Sequence, residues 1–162
     1  MATFGQIAKN IQKIDMNRIY TDVFSEPNIK KWITDTIKER LYNVGIDGKG
    51  NKLKTDKAQG GNFYADRTIA IKRKKGQKTS NVTLKDTGEF HNSMKVLLNL
   101  YGFETDANFM KSSSNIYRNF LNSYSTQQEF TGSIMSLSDT ELTDLIKNKA
   151  MPEIKKRFNA AL

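Results

Sequence analysis

Apolar side chains recur every three or four residues in two segments near the start of the chain, which is the spacing of one face of an α-helix. The first segment predicts one helix over residues 3–20, within an N-terminal helix or arm spanning 1–22. The second predicts a helix that begins after Ser25, its expected N-cap, and ends at Gly45. The apolar face of this second helix consists of Ile29, Trp32, Ile33, Ile37, Leu41 and Val44.

A further helix signal lies at the end of the chain. Ser138 and Glu141 have the spacing of a capping box, in which each side chain bonds the other's backbone N–H. They predict a C-terminal helix over residues 138–162, kinked or split at Pro152 because proline lacks a backbone N–H. Its apolar stripe consists of Leu142, Leu145, Ile146, Ile154 and Phe158.

The middle of the chain has a different pattern. Residues 45–62 contain five glycines among lysines and aspartates, which predicts a flexible loop with little to bury. Residues 63–74 fit a short helix or a strand, and a helix from Asp66 is favoured. The remaining predictions are a strand at 82–84, a short helix at 87–94, a strand at 94–103, a turn at 105–108, a return strand starting at 109–110 and a helix at 116–124.

These elements predict a single α+β domain over residues 1–162, a length typical of one domain. A small antiparallel sheet is packed by an N-terminal amphipathic helix and a C-terminal helix, with long loops between the elements. The predicted core consists of Trp32, Ile33, Ile37, Leu41, Leu84, Phe90, Val96, Leu98, Leu145 and Ile146.

The net charge of +9 favours an anionic partner such as nucleic acid, an acidic protein face or a membrane surface, with a solvated lysine-rich surface as the alternative. Hydrophobic residues make up 37%, below the roughly 45–50% of an average globular chain. No apolar run approaches the roughly 18 residues of a membrane span, so no membrane partner is expected. The candidate docking or DNA-facing residues are Lys49, Lys52, Lys54, Lys57, Lys72, Arg73, Lys74 and Lys75.

Residues with recognisable catalytic or metal-binding patterns are missing from the sequence. His91 is the only histidine and there is no cysteine, so a typical zinc site is not expected, and His91 is interpreted as a surface or partly packed residue. The glycine-rich stretch 45–51 is neither a P-loop nor an EF-hand, because Lys49 is followed by glycine and the calcium-binding glutamate is missing. We therefore expect no enzyme activity, cofactor or metal.

One stretch, residues 82–94, is distinctive. It contains Leu84, Thr87, Gly88, Phe90 and Ser93 in the order Leu-x-x-Thr-Gly-x-Phe-x-x-Ser. Physically, the stretch predicts a corner that forms the fold. A threonine or aspartate caps a turn, glycine allows the chain to bend, and Phe90 shares one face of a short helix with the apolar residue four positions later. The residues of this corner are Leu84, Asp86, Thr87, Gly88, Phe90 and Ser93.

This stretch resembles the signature of tailed-bacteriophage neck, tail-completion and virion-morphogenesis proteins. The resemblance implies a structural subunit that forms a homo-oligomeric ring at the head–tail junction, in a virion assembled in the host cytoplasm. The implied partners are other copies of the chain, neighbouring neck or tail proteins and packaged DNA bound non-specifically. The alternative is a basic nucleic-acid-binding module, which rests on the charge of +9 and the run 72–75.

Overall fold

Helices at both ends of the chain pack around a short antiparallel hairpin, which confirms the predicted α+β class. The computed structural model describes residues 3–55, 63–99, 102–111, 114–115 and 132–162. The helices are α1 (Phe4–Lys13), α2 (Met16–Ser25), α3 (Pro27–Asn43), α4 (Asp66–Lys74), α5 (Glu89–Asn92), α6 (Asp139–Asp144) and α7 (Met151–Ala161), with a π-helical stretch (Leu145–Ala150) between the last two. The strands are β1 (Lys95–Asn99), β2 (Gly102–Asp106), β3 (Met110–Lys111) and β4 (Ser114–Asn115).

The N-terminal segment forms two helices, so the prediction of one helix over 3–20 is wrong. The chain leaves helical geometry at Ile14, and the Asp15 carboxylate caps α2 by accepting a hydrogen bond from the Arg18 N–H (3.0 Å). Helix α2 then continues to Ser25, which is therefore not the cap of the next helix. The Ser25 hydroxyl instead donates to the Thr21 carbonyl one turn earlier (2.6 Å).

Helix α3 matches its prediction in its position and its end, but Val44 of the predicted apolar face is 54% exposed. Gly45 ends it in the left-handed conformation (φ +70°) and donates its N–H to the Arg40 carbonyl (3.0 Å). The apolar face of α3 is the centre of the main core, which also contains Val96 from β1. The sheet is thus packed by α3, as the sequence predicts.

The predicted core is confirmed for Ile33, Ile37, Leu41, Phe90, Val96 and Leu145, which are all buried. Trp32, Leu84 and Leu98 are only partly buried. The prediction is wrong for Ile146, whose side chain is 43% exposed. The π-helical stretch explains this exposure, because its wider turn brings residues five apart onto one face, and Leu145 and Ala150 are the buried pair.

The hairpin corrects the prediction of one long strand over 94–103. Strand β1 pairs with β2 from Lys95 opposite Asp106 to Asn99 opposite Gly102, and β2 extends into the predicted turn at 105–108. The segment 82–84 is not a strand, because the Thr83 N–H donates to the Tyr64 hydroxyl (2.9 Å) instead of to a neighbouring strand. A short strand does begin at Met110, within the predicted return strand at 109–110, and it pairs with β4.

Two short helices also bear on the predictions. Helix α4 begins at Asp66, as favoured from the sequence. Helix α5 spans only Glu89–Asn92 rather than 87–94. The helix predicted at 116–124 lies outside the described residues.

The prediction that the span 45–62 has little to bury is wrong for its described part, 45–55. The Asp47 carboxylate is 1% exposed and accepts hydrogen bonds from the Lys49 and Asn51 N–H groups (2.9 and 2.8 Å). The Gly48 N–H donates to the Ser133 carbonyl (2.6 Å), and Leu53 is buried in the core. Residues 45–55 therefore form a turn packed on the body, and mobility of the loop stays a prediction.

The C-terminal helix begins with the predicted capping box. The Glu141 N–H donates to the Ser138 hydroxyl (3.3 Å), and the Ser138 N–H donates to the Glu141 carboxylate (2.7 Å). Helical structure continues to Ala161, with Pro152 in the first turn of α7, so the helix is not split. A second, smaller core joins this helix to α2 and contains Val23, Ala150 and Ile154.

Candidate functional site

The stretch that carries the family resemblance folds as a sharp corner, which we call the 84–93 corner. Leu84 starts it in a left-handed conformation (φ +50°) that is uncommon outside glycine, and its side chain packs against the core. Gly88 is left-handed as well (φ +89°) and precedes α5 directly. Two left-handed residues within five positions, Leu84 and Gly88, thus redirect the chain into α5.

Three other residues of the motif hold this corner together. The Thr87 hydroxyl accepts the Glu89 N–H (3.3 Å), which satisfies a free donor at the start of α5. Phe90 is buried in the core beside Phe109. The Ser93 hydroxyl donates to the Phe90 carbonyl (2.8 Å) and accepts the Asn108 N–H (2.7 Å), so it joins the corner to the segment after β2. Of the two predicted caps, Asp86 or Thr87, it is Thr87 whose side chain accepts the Glu89 N–H.

His91 lies inside the corner and is buried, which corrects the expectation of a surface or partly packed histidine. Its Nε2 atom is 2.8 Å from the Thr83 carbonyl oxygen, and because that oxygen can only accept, Nε2 carries the proton. Burial is the main cause that lowers the pKa of His91 below its ordinary value, and the charges of Lys85 and Lys38 act in the same direction. His91 is therefore a neutral, structural histidine.

The basic run 72–75 is divided by the fold. Lys72 is only 7% exposed, and its ammonium donates to the Lys85 carbonyl (3.1 Å) and lies 5.0 Å from the centre of the Tyr64 ring. Lys72 is thus a structural residue, and its predicted docking role is wrong because its charged group is already engaged inside the protein. Lys75 pairs with Asp86 (2.8 Å). Arg73 and Lys74 are exposed.

The lysines of the glycine-rich span lie on the turn described above. Lys49, Lys52 and Lys54 are exposed. Lys57 lies outside the described residues. The turn presents the three described lysines to solvent from a backbone fixed by Asp47 and the buried Leu53, so they are available to a partner without being on a free arm.

The fold also assembles a basic surface that the sequence patterns do not single out, which we call the Tyr42 surface. It consists of Tyr42 and Lys38 from α3, Lys78 from the segment after α4, and Lys85 from the 84–93 corner. The Tyr42 ring is 39% exposed, with the Lys85 ammonium 5.0 Å and the Lys78 ammonium 5.9 Å from its centre. Such contacts are favourable cation–π arrangements. Two segments that are distant from α3 in the sequence thus place lysines against one aromatic ring on that helix.

Lys78 is fixed in place by the end of α3. Its ammonium donates to the Asn43 carbonyl (2.7 Å) and, over a longer distance, to the Tyr42 carbonyl (3.4 Å). A cation is favoured at this position because carbonyl groups at the carboxyl end of a helix lack intrahelical partners. The only hint in the sequence is that Lys38 and Tyr42 are four residues apart on a predicted helix, and the other two lysines join them only in the folded chain.

Comparisons with known proteins add no assignment, since no family model, curated protein or solved structure matches this chain. Within the described parts of the chain, acidic and histidine side chains do not gather in a group of three that could hold a metal ion. Among those same residues, none of the helices is long and apolar enough to cross a membrane.

Proposed function

We propose that this chain is a structural subunit of a tailed-phage virion, a non-enzymatic neck or tail-completion protein that forms a ring at the head–tail junction. The observation that carries the proposal is the 84–93 corner. The family signature at these positions is architectural, and Leu84, Thr87, Gly88, Phe90 and Ser93 each have an architectural role here. The resemblance is therefore one of fold-forming residues, as expected for a family defined by assembly and not by chemistry.

Helix α1 supports a role in assembly. Its apolar positions lie on one face, yet Ile11 on that face is 48% exposed. A long-range hydrogen bond joins it to the C-terminus, from the Asn10 side chain to the Leu162 carbonyl (2.7 Å). An amphipathic helix with an exposed apolar residue is suited to packing against another chain. We therefore assign α1 as a docking element toward a neighbouring copy or a neighbouring virion protein.

The mass of the purified chain in solution, measured by analytical ultracentrifugation over a wide concentration range, tests this proposal. A ring subunit is expected to show a discrete closed oligomer at high concentration, visible as rings by negative-stain electron microscopy. A variant lacking residues 1–13 should keep the fold of the body and lose the oligomer. A full-length chain that stays monomeric throughout, with or without residues 1–13, would contradict the proposal.

The alternative function, a free-standing nucleic-acid-binding module, is favoured by the Tyr42 surface. Such a module would bind DNA as a monomer with sub-micromolar affinity and a steep dependence on salt. No helix-turn-helix, zinc-finger or RNA-recognition signature accompanies the basic residues. We prefer the ring subunit because it accounts for the 84–93 corner as well as for exposed basic residues.

A further inference from the structure

The Tyr42 surface carries positive charge that the described part of the chain does not neutralise. Neither Lys78 nor Lys85 forms an ion pair with a carboxylate among the described residues. Two acidic residues close to the surface lysines in the sequence are engaged in ion pairs: Asp86 pairs with Lys75, and Asp35 pairs with Lys31 and lies 3.9 Å from Lys38. Glu39 is exposed on α3. The surface thus has a local excess of cations.

This surface continues onto the carboxyl end of α4. Lys72 donates to the Lys85 carbonyl, and Lys75 pairs with Asp86. The end of α4 therefore adjoins the 84–93 corner. Arg73 and Lys74 on that end are exposed. Positive charge is thus spread over several neighbouring elements rather than concentrated in a single anion site. A polyanion with regularly spaced charges is the ligand that such a surface fits.

The surroundings of the Tyr42 ring indicate whether the surface suits the bases or the phosphates of a nucleic acid. Bases of single-stranded nucleic acid bind by stacking on free aromatic faces. Two ammonium groups within 6 Å of the Tyr42 ring compete for its face, at 5.0 and 5.9 Å from its centre. Lys78 is also held by the end of α3, which fixes the position of its charge. The arrangement therefore suits phosphate groups better than bases.

From these observations we propose that the Tyr42 surface binds the phosphate backbone of duplex nucleic acid without reading its sequence. Lys85, Lys78 and Lys38 contact phosphates, Arg73 and Lys74 extend the contact, and Tyr42 holds two of the ammonium groups in place. Lysine suits this role because its compact charge binds phosphate without demanding one geometry. The site does not depend on ring formation, so its test is independent of the test of the proposed function.

The experiment measures the affinity of the full chain for a short fluorescein-labelled duplex DNA as a function of salt concentration. The test variant is Lys78→Gln with Lys85→Gln. The control variant is Lys155→Gln with Lys156→Gln on α7, where both lysines are exposed and the same charge is removed. The test variant should bind about tenfold more weakly or worse and lose about two units of the log–log salt slope, while the control keeps its affinity within about twofold.

Loss of the fold is checked separately, because Lys78 also contacts the end of α3. Lys85→Gln alone leaves the Lys78 contacts in place and should reduce the salt slope by about one with an unchanged melting temperature. Equal losses of affinity in the test and control variants would mean that net charge alone drives binding. An unchanged affinity in the test variant would mean that DNA does not bind at the Tyr42 surface. Both results overturn the proposal.

Two further probes separate the competing ligands. Tighter binding of single-stranded DNA that is abolished by Tyr42→Leu would show base stacking, which overturns a backbone contact to duplex. Polyglutamate stands in for an acidic protein face. If Lys78→Gln with Lys85→Gln weakens polyglutamate binding but leaves duplex binding unchanged, the surface belongs to a protein partner and the proposal is wrong. Loss of duplex binding with the same variant supports it.

Discussion

The 84–93 corner and helix α1 use their apolar residues in opposite ways. In the corner, Phe90 is buried and both Thr87 and Ser93 bond the backbone of the same chain. In α1, Ile11 is about half exposed, and Asn10 bonds the far C-terminus. The corner thus buries its aromatic side chain and forms these hydrogen bonds within the subunit. Helix α1 leaves the Ile11 side chain about half exposed.

This difference separates two kinds of importance in an assembly subunit. Under the proposed function, we expect residues of the corner to be needed for folding of the subunit and residues of α1 to be needed for docking. Changes in the corner should lower stability and, through it, assembly. Changes on the exposed side of α1 should lower assembly alone.

The largest expected effect in the corner is that of Phe90→Ala. Removing a buried aromatic side chain leaves a cavity, and such truncations cost about 3–5 kcal/mol of unfolding free energy. Chemical denaturation followed by circular dichroism measures this loss. Phe90→Leu keeps more of the volume and should cost less. A Phe90→Ala variant as stable as the parent would mean that the corner is not part of the core.

Gly88 in the corner and Gly5 in α1 are expected to respond differently to an added side chain. Gly88→Val should destabilise the subunit by about 1–3 kcal/mol, because a β-branched residue is strained at a positive φ. Among the described residues, a Cβ at Gly88 would meet the Asn92 side chain alone, at 3.6 Å, so the cost lies in the backbone and not in a clash. Thermal melting checks the effect.

The control for Gly88 is Gly5→Ala in α1, where a Cβ meets nothing within 4 Å. This substitution should leave stability unchanged or raise it slightly, since alanine favours a helix over glycine. If Gly88→Val melts like the parent but no longer assembles, the corner is an interface and its assignment as a folding element is wrong.

The comparison of sequence and structure shows why some elements were predictable. Helix α3 and the capping box at Ser138 follow from local rules, namely spacing, caps and glycine. The break at Ile14 depends on a single aspartate cap inside an otherwise continuous apolar pattern, and periodicity does not reveal it. The exposure of Ile146 follows from the π-helical stretch, which local propensity does not signal.

The basic surfaces are harder to predict from the sequence, because the burial of a side chain depends on which face of a short helix packs against the core. Within the basic run, Lys72 is buried while the neighbouring Ile71 is 46% exposed, the reverse of what hydrophobicity predicts. A hint was available, since Lys72 lies three residues after Ile69, which packs against the core. The Tyr42 surface depends on three separate segments meeting, which only the tertiary fold determines.

A smaller effect concerns His91 and pH. Because burial lowers its pKa in the folded state, the unfolded chain binds a proton more readily. The contribution of His91 to stability is therefore fully present above about pH 6.5, the unfolded pKa, and is lost as the pH falls through the lower folded pKa. His91 is the only histidine, so the difference between the parent and His91→Gln isolates this slope.

Denaturation curves at several pH values between neutral and mildly acidic conditions measure that difference. The parent should lose stability faster than His91→Gln as the pH falls. Parallel pH profiles would show that His91 titrates alike in the folded and unfolded states. That result would contradict the lowering of its pKa by burial in the corner. The same experiment on a variant of α1 should follow the parent, because α1 contains no histidine.

The smallest expected effect on stability is that of Ile11→Asp in α1. An exposed position away from the core should change the unfolding free energy by no more than about 0.5 kcal/mol. Its effect on assembly should be large, because a charge on the docking face would have to be desolvated in the interface. Sedimentation shows the loss of oligomer. If the variant forms the oligomer as well as the parent does, α1 is not part of the interface.

We propose that the chain is a ring-forming subunit of a tailed-phage virion, and cryo-electron microscopy of particles purified from the source of this sequence tests that proposal. We expect a closed ring of copies at the head–tail junction, with the 84–93 corner inside each subunit and α1 against a neighbour. Purified particles that lack the chain, or a map that places it away from the head–tail junction, would contradict the account.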